Sequence, residues 1–179
     1  MYGNYLKKKL YACILLSFFA GILYVNLMAK DICDTNAVFD TYTLKQYKNM
    51  DINTGRFFLY LLRIRVVPIG VLTALMFTRF RKITVWGTIC WTCFLGGFLM
   101  TTAVLCMGMK GSLLCVLAGF PHMFFYFIVY AIVLWYGLVY PRGHWDMTKT
   151  VFITGTMLAG IFLEAYLNPV IIKLFIEIL

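Results

Sequence analysis

Charged residues are scarce in this chain: they make up 13% of its 179 residues, whereas soluble domains contain about a quarter. Acidic residues are the scarcest, with seven Asp and Glu against sixteen Lys and Arg. So few charges exclude a soluble surface for most of the chain, of which 63% is hydrophobic. We therefore expect almost no mass outside a membrane and no separate soluble domain.

The motifs of common soluble enzymes are missing as well. The sequence contains no phosphate-binding nucleotide loop, no His-Glu-x-x-His zinc helix and no Gly-x-Ser-x-Gly nucleophile turn. No two apolar segments each carry an acidic residue, so the pair of acidic residues that an intramembrane aspartyl protease needs is missing. We expect no enzymatic activity and no cofactor.

Six cysteines are present, but their arrangement does not predict a disulfide or metal framework. Cys90 and Cys93 have the spacing of a redox or metal-binding pair, yet they lie in an apolar segment without a second pair. We interpret them as small packing residues. Only one histidine, His122, falls at membrane depth, so we expect no metal site.

The formal net charge of +9 does not indicate a nucleic-acid partner. The basic residues form short clusters at the ends of apolar segments, where they orient a membrane protein. No patch of mixed basic and aromatic residues lies outside those segments to bind a polynucleotide. The expected surroundings of this chain are therefore the lipid bilayer, with no nucleic acid bound.

Five long apolar segments account for most of the sequence, and only helices bury such backbone in lipid. The predicted spans are 10–29, 57–80, 84–106, 113–139 and 151–179, with a tight turn over 107–112. Pro121 predicts a kink in the fourth span, and Asn168-Pro169 predicts a break in the fifth. The fold class is thus all-α: a polytopic membrane helix bundle of about five helices, forming one membrane domain over residues 1–179.

The orientation follows from the density of basic residues, which is highest in three short segments. These segments precede the first, third and fifth spans and carry Lys7, Lys8, Lys9, Arg79, Arg81, Lys82, Arg142 and Lys149. Because Lys and Arg favour the cytoplasmic side, we expect a cytoplasmic amino terminus and an external carboxyl terminus. The first apolar run, at about 20 residues, exceeds the ~7–15 of a signal-peptide core, so we expect an uncleaved span.

The longest polar stretch, residues 30–56, is predicted to lie on the outer membrane surface as a loop with one or two short helices. Phe39, Tyr42 and Tyr47 supply an apolar edge there. This outer loop is the main candidate for contact with an external partner, and we assign partner binding to those three aromatic residues.

The fifth span carries a stripe of polar and small residues. Gly160, Glu164 and Asn168 recur at intervals of four and therefore share one helix face. Small and hydrogen-bonding residues of this kind form helix–helix contacts in membranes. The stripe predicts an interhelical contact through Glu164, and the alternative is a catalytic or ion-carrying carboxylate.

Four ionisable residues are predicted to lie at a similar depth in the outer half of the membrane. Counting about 1.5 Å per residue places Arg63, Arg65, Glu164 and His122 within roughly 9–15 Å of the outer surface. Unpaired charges at that depth are costly. We therefore predict that Glu164 pairs with Arg63 or Arg65, with His122 close enough to hydrogen-bond the carboxylate and Asn168 part of the same cluster. Arg63 and Arg65 point about 200° apart, so only one of them can join.

Two short motifs resemble those of the stage II sporulation protein M family, small five-span membrane proteins of spore-forming bacteria. Pro121-His122 follows a Gly-rich third span and turn, like the family's Pro-His-Gly…Glu motif. The run GIFLEAYLNP from Gly160 to Pro169 is similar to its Glu-Ala/Gly-aromatic-x-x-Pro motif in the final span. Met123 and Tyr126 depart from the family, which usually has Gly and Glu there, so Glu164 becomes the expected partner of His122.

This resemblance implies a non-enzymatic scaffold in a bacterial cell membrane. The family member that gives the family its name anchors the peptidoglycan-degrading stage II sporulation proteins D and P at the membrane during engulfment. Two alternatives stay open. One is a membrane component of a small-molecule or peptide transporter, with Glu164, Arg63 and the proline breaks along its path. The other, an intramembrane enzyme, lacks a visible nucleophile–base pair.

Overall fold

The computed structural model describes the backbone of residues 2–28, 54–140, 143 and 145–178, with side chains over 8–28, 55–140, 143 and 145–174. Five helices cover these ranges, and no strand occurs within them: α1 (Tyr2–Leu27), α2 (Thr54–Met76), α3 (Arg81–Gly119), α4 (His122–Val139) and α5 (Met147–Ile178). All five are long and apolar enough to cross a membrane. The predicted all-α membrane fold class is confirmed.

The helix surfaces are apolar on most sides, which suits lipid and not water. Leu16 on α1 and Phe127 on α4 each leave 72% of their surface exposed, and many similar side chains do the same. In water such exposure would make a large aggregation-prone patch. The helices therefore owe their formation to a lipid environment, in which every backbone group must be bonded within its own helix.

Several helix boundaries differ from the predicted spans by three residues or more. The helix α2 ends at Met76 instead of 80, where the backbone N–H of Thr78 and its hydroxyl both donate to the carbonyl of Leu75, at 3.1 and 2.7 Å. The helix α5 begins at Met147 instead of 151, because the Asp146 carbonyl already accepts the Lys149 N–H at 3.0 Å. The basic residues Lys8 and Lys9 lie inside α1, which begins at Tyr2.

The predicted break at Asn168-Pro169 is wrong. The helix α5 continues through Pro169 to Ile178. A proline removes only its own backbone donor, and the neighbouring turns keep the helix intact in lipid.

The turn predicted over 107–112 is concentrated at one residue, Gly108. Its backbone angles, φ 62° and ψ −144°, lie in a region that residues with a side chain rarely adopt. Beyond this point Gly111 lies against the carbonyl oxygen of Ala103, whereas a straight helix would separate them by about 12 Å. The chain therefore changes direction sharply at Gly108.

The fourth predicted span, 113–139, is divided in the structure, as its proline indicated. Residues 113–119 form the end of α3, and α4 begins only at His122. Between them Phe120 is extended, with φ −88° and ψ 138°. Steric conflict with the following proline ring disfavours helical geometry at that residue, so Pro121 separates the two helices.

The chain forms two compact units, one of residues 1–46 and 86–115 and the other of residues 47–85 and 116–179. In the first unit α1 packs on α3 with both helices running in the same direction. Cys13 contacts Cys90, and Phe18 and Gly21 contact the segment around Phe94–Phe98. The grouping of both units in one membrane domain stays a prediction.

The second unit contains α2, α4 and α5. The helices α2 and α4 run in the same direction and α5 runs opposite to them, so that the end of α2, the end of α4 and the start of α5 meet. Phe77, Tyr136 and Trp145 pack there, with ring centroids 4.8–5.8 Å apart. Arg81 lies over the ring of Tyr140 at 4.2 Å. We call this region the aromatic end of the second unit.

Candidate functional site

A group of charged and polar side chains lies within the second unit, away from its aromatic end. Arg65 comes from α2, His122 and Tyr126 from α4, and Glu164 from α5. We call these four residues the polar cluster. Glu164 and His122 are buried, with 6% and 3% of their surfaces exposed. The cluster therefore joins all three helices of this unit.

The centre of the cluster is a two-point ion pair. Arg65 Nε donates to Glu164 Oε2 at 3.1 Å, and Arg65 Nη2 donates to Oε1 at 2.5 Å. Parallel donation to both carboxylate oxygens is the strongest arrangement available to these groups. The charges compensate each other at a depth where either alone would be costly.

Tyr126 completes the coordination of the carboxylate. Its hydroxyl donates to Glu164 Oε2 at 2.5 Å, a short distance typical of a donor to a charged oxygen. The Arg65 guanidinium carbon lies 5.0 Å from the centroid of the same ring, within cation–π range. Tyr126 therefore contacts both members of the ion pair.

His122 lies beside the carboxylate without bonding to it. Its Nε2 is 3.9 Å from Glu164 Oε1, beyond hydrogen-bonding reach, so the predicted hydrogen bond is not formed. Arg65 and Tyr126 already occupy both carboxylate oxygens. The imidazole instead packs edge-on against Tyr126, with centroids 5.7 Å apart. Its Nδ1 is buried and has no hydrogen-bond partner in the described part of the chain.

Of the two arginines that the sequence left as alternatives, Arg65 is the partner of Glu164. Arg63 is exposed on the other side of α2, as the 200° separation requires. Asn168 lies one turn beyond Glu164, and its buried Oδ1 finds no hydrogen-bond partner among the described residues. The structure thus brings together Glu164, Arg65 and His122, and leaves Arg63 and Asn168 unbonded to them.

A glycine allows α5 to come this close to α4. A Cβ atom at Gly160 would lie 2.8 Å from Cε1 of Tyr126 and 3.2 Å from Cβ of Phe125. Contacts that short force the Tyr126 ring to move. Gly160 therefore provides the space in which Tyr126 reaches Glu164, four residues further along α5.

Tyr126 is the cluster residue that the sequence did not predict as a member. A signal was available: His122 and Tyr126 are four residues apart and share a helix face. A hydroxyl on the face that carries the buried histidine is a candidate for the same polar contact.

The partner-binding residues predicted in the outer loop, Phe39, Tyr42 and Tyr47, lie outside the described residues. The structure bears on that loop only at its end, where α2 begins at Thr54.

The arrangement of the cluster suits structural contact more than chemistry. Both carboxylate oxygens are occupied, and no serine, cysteine or threonine bonds to the cluster among the described residues. In the same ranges no three His, Cys, Asp or Glu side chains are grouped to hold a metal ion. What the geometry provides is a charged connection between three helices.

Comparisons with protein family models, curated proteins and solved structures give no match for this chain.

Proposed function

We propose that this chain is a non-enzymatic, multi-pass membrane scaffold whose polar cluster holds its helices together while its exposed segments contact other proteins. The observation that carries the proposal is the complete occupation of the Glu164 carboxylate by Arg65 and Tyr126. A carboxylate with three donors has little capacity left to bind a substrate. Removing one member of such a buried pair destabilises a fold strongly, which is the property of a structural element.

More specifically, we propose a role like that of the stage II sporulation protein M family. In this role the chain anchors peptidoglycan-degrading proteins at a bacterial cell membrane during engulfment. It is supported by the proximity of the two motifs that carry the resemblance. His122 and Glu164 are 42 residues apart in sequence, and their side chains approach to 3.9 Å. The two motifs therefore lie at one place in the fold, as a shared structural role would require.

The proposed orientation keeps the amino terminus in the cytoplasm and the carboxyl terminus outside. It is supported by the parallel packing of α1 and α3, since each of these helices carries basic residues near its start, Lys8 and Lys9 in α1 and Arg81 and Lys82 in α3. Parallel helices place these basic starts at the same membrane surface, where the positive-inside tendency applies to both. The outer loop then faces the cell wall, on the side where hydrolases act.

The test is recruitment of partners by the outer loop. Replacing Phe39, Tyr42 and Tyr47 with Ser removes the predicted contact, while replacing Thr41, Thr43 and Gln46 with Ser changes the same loop conservatively. Crosslinking and purification from sporulating cells should recover stage II sporulation proteins D and P with the parent chain and the control but not with the aromatic variant. Equal recovery with all three chains at equal protein level would reject the loop as the binding surface.

A second candidate, a component of a small-molecule or peptide transporter, is favoured by one observation. His122 Nδ1 and Asn168 Oδ1 are both buried without a hydrogen-bond partner in the described part. Buried polar atoms without partners are rare, and a polar solute would satisfy them. Uptake or efflux that depends on Asn168 and not on the outer loop would favour this candidate over the scaffold.

A further inference from the structure

Arg63 is a charged residue on the exposed face of a membrane-crossing helix. Its neighbour Arg65 faces the interior and pairs with Glu164, whereas Arg63 points to the opposite side of α2. Within the described ranges Arg63 forms no hydrogen bond, ion pair or ring contact. Among the described residues, the positive charge of Arg63 therefore has no counter-charge.

The depth of Arg63 follows from the position of the aromatic end. Phe77, Tyr136 and Trp145 are the kind of residues that mark a membrane surface. From Phe77 to Arg63 the chain rises about 21 Å, at about 1.5 Å per residue. In a hydrocarbon layer of about 30 Å, Arg63 then lies about 9 Å below the opposite surface.

An arginine at this depth reaches towards that surface. The Cα–Cβ bonds of a helix point to its amino-terminal end, which for α2 is the nearer surface. The long aliphatic stem lies along the apolar helix while the guanidinium rises to the polar region. This brings the guanidinium close to the edge of the hydrocarbon layer, next to the lipid headgroups.

Two further residues share this face. Tyr60 lies nearly one turn above Arg63 and is 60% exposed, and Arg56 lies a further turn above it and is also exposed. Intervals of four and three residues keep all three in line. We call Arg56, Tyr60 and Arg63 the Arg–Tyr stripe. Leu59, Ile64 and Val67 beside it are exposed and apolar, as a surface against acyl chains should be.

We propose that the Arg–Tyr stripe binds the headgroup of an anionic phospholipid, with the phosphate on Arg63 and the acyl chains against Leu59, Ile64 and Val67. Arginine matches phosphate by donating two parallel hydrogen bonds. The charge of Arg63 is one that a zwitterionic headgroup, with a cation of its own, compensates poorly. A carboxylate of another protein is the alternative occupant, and photo-crosslinking distinguishes it from a lipid.

The experiment is competitive lipid binding to the purified full chain in detergent. Phosphatidylglycerol and phosphatidylcholine with the same acyl chains are added in equal amounts, and native mass spectrometry measures the ratio of the two lipids bound. Because the Arg63 guanidinium would donate hydrogen bonds directly to the bound phosphate, Arg63→Gln should lower this ratio about fivefold. Arg63→Lys should retain most of it, because the charge is kept.

The matched control is Arg79→Gln, which removes the same charge from an exposed arginine at the other end of α2. It should change the ratio less than twofold. Thermal unfolding of all variants checks that the fold is kept, as the exposure of both arginines leads us to expect. An equal loss for Arg63→Gln and Arg79→Gln would overturn the proposal, since net charge alone would then explain the preference.

Two further outcomes would also overturn it. Displacement of phosphatidylglycerol by inorganic phosphate at matched concentration would mean that the acyl chains contribute nothing and that the site binds free phosphate. A photo-crosslinker placed at Leu59 should yield lipid adducts in native membranes. A protein adduct that disappears with Arg63→Gln would identify a partner helix as the occupant instead.

Discussion

The two units of this chain hold their helices together in different ways. In the first unit α1 and α3 meet through glycines: Gly21 lies against the carbonyl oxygen of Phe94, and Gly97 against that of Phe18. In the second unit α2, α4 and α5 meet through the Arg65–Glu164 pair, whose carboxylate is buried and whose arginine is half-buried, and through the Tyr126 hydroxyl. Close backbone packing and polar contacts are the two forces available when lipid removes the hydrophobic one.

Because of this difference, the two units should be sensitive to different substitutions. A contact between backbones tolerates any change that adds no atoms, and it fails when one Cβ is added at the crossing. An ion pair tolerates changes of shape around it and fails when one charge is removed. Single substitutions in each unit can distinguish the sensitivity of a backbone contact from that of an ion pair.

Removing the negative charge of the cluster should have the largest effect. Glu164→Gln leaves the Arg65 guanidinium without a counter-charge and should cost about 3–5 kcal/mol of stability, whereas removing both charges should cost less than the sum of the single changes. Thermal unfolding of purified variants, with Arg63→Gln as the control, measures the difference. Strictly additive losses for Glu164→Gln and Arg65→Gln would mean that the ion pair does not contribute as a pair.

The Tyr126 hydroxyl should contribute less than the charges. Tyr126→Phe keeps the ring but removes a donor to a charged oxygen, which should cost about 1.5–3 kcal/mol. Tyr166→Phe serves as the control, because Tyr166 is 49% exposed and forms no contact with the cluster. Equal unfolding temperatures for both variants would place the hydroxyl outside the cluster in the native protein.

In the first unit, two adjacent glycines provide a matched pair. A Cβ at Gly97 would collide with the backbone of α1, whereas a Cβ at Gly96 would meet nothing within 4 Å. Gly97→Ala should cost about 1–3 kcal/mol, as overpacking does, and Gly96→Ala should be neutral or slightly favourable.

The contact between Cys13 and Cys90 gives an independent test of the Gly96 and Gly97 substitutions. Their sulfur atoms lie 2.9 Å apart, so mild oxidation with a copper complex should join α1 to α3 through a disulfide. The yield should fall in Gly97→Ala and stay unchanged in Gly96→Ala. Similar yields in both variants would show that the glycine crossing does not set the separation of these helices.

A change at Gly108 tests neither type of contact. Alanine there must adopt φ 62° and ψ −144°, a conformation that residues with a side chain rarely adopt and that costs about 1–3 kcal/mol. Gly87→Ala is the control, because Gly87 is helical and its Cβ position is open. A loss no greater than in the control would mean that the backbone can change direction without this conformation.

Much of the fold was predictable because long apolar runs leave few alternatives to membrane helices. The number of residues from the outer surface also predicted that Glu164, His122 and the two arginines lie at a similar depth. The sequence did not decide which arginine pairs with Glu164. It gives the angle between Arg63 and Arg65 but not the rotation of α2 about its axis within the second unit. That rotation is set by tertiary packing of residues such as Leu61, Ile69 and Leu72, which are buried.

Two local expectations were wrong for physical reasons that sequence alone does not weigh. A break was expected at Pro169, but one missing donor does not end a helix in lipid. A hydrogen bond was expected from His122 to Glu164, but Arg65 and the Tyr126 hydroxyl donate to both carboxylate oxygens instead.

The Arg65–Glu164 pair also has a consequence for biosynthesis. The two residues are separated by 99 positions, and Arg65 is made first. At about 5–20 residues per second, roughly 5–20 s pass before the ribosome reaches Glu164. During that interval α2 and α4 can be in the membrane while the guanidinium still lacks its counter-ion. The second unit therefore cannot reach its final arrangement until the last helix is delivered, and a chain that stops before Glu164 would keep an arginine that the insertion and quality-control machinery can detect.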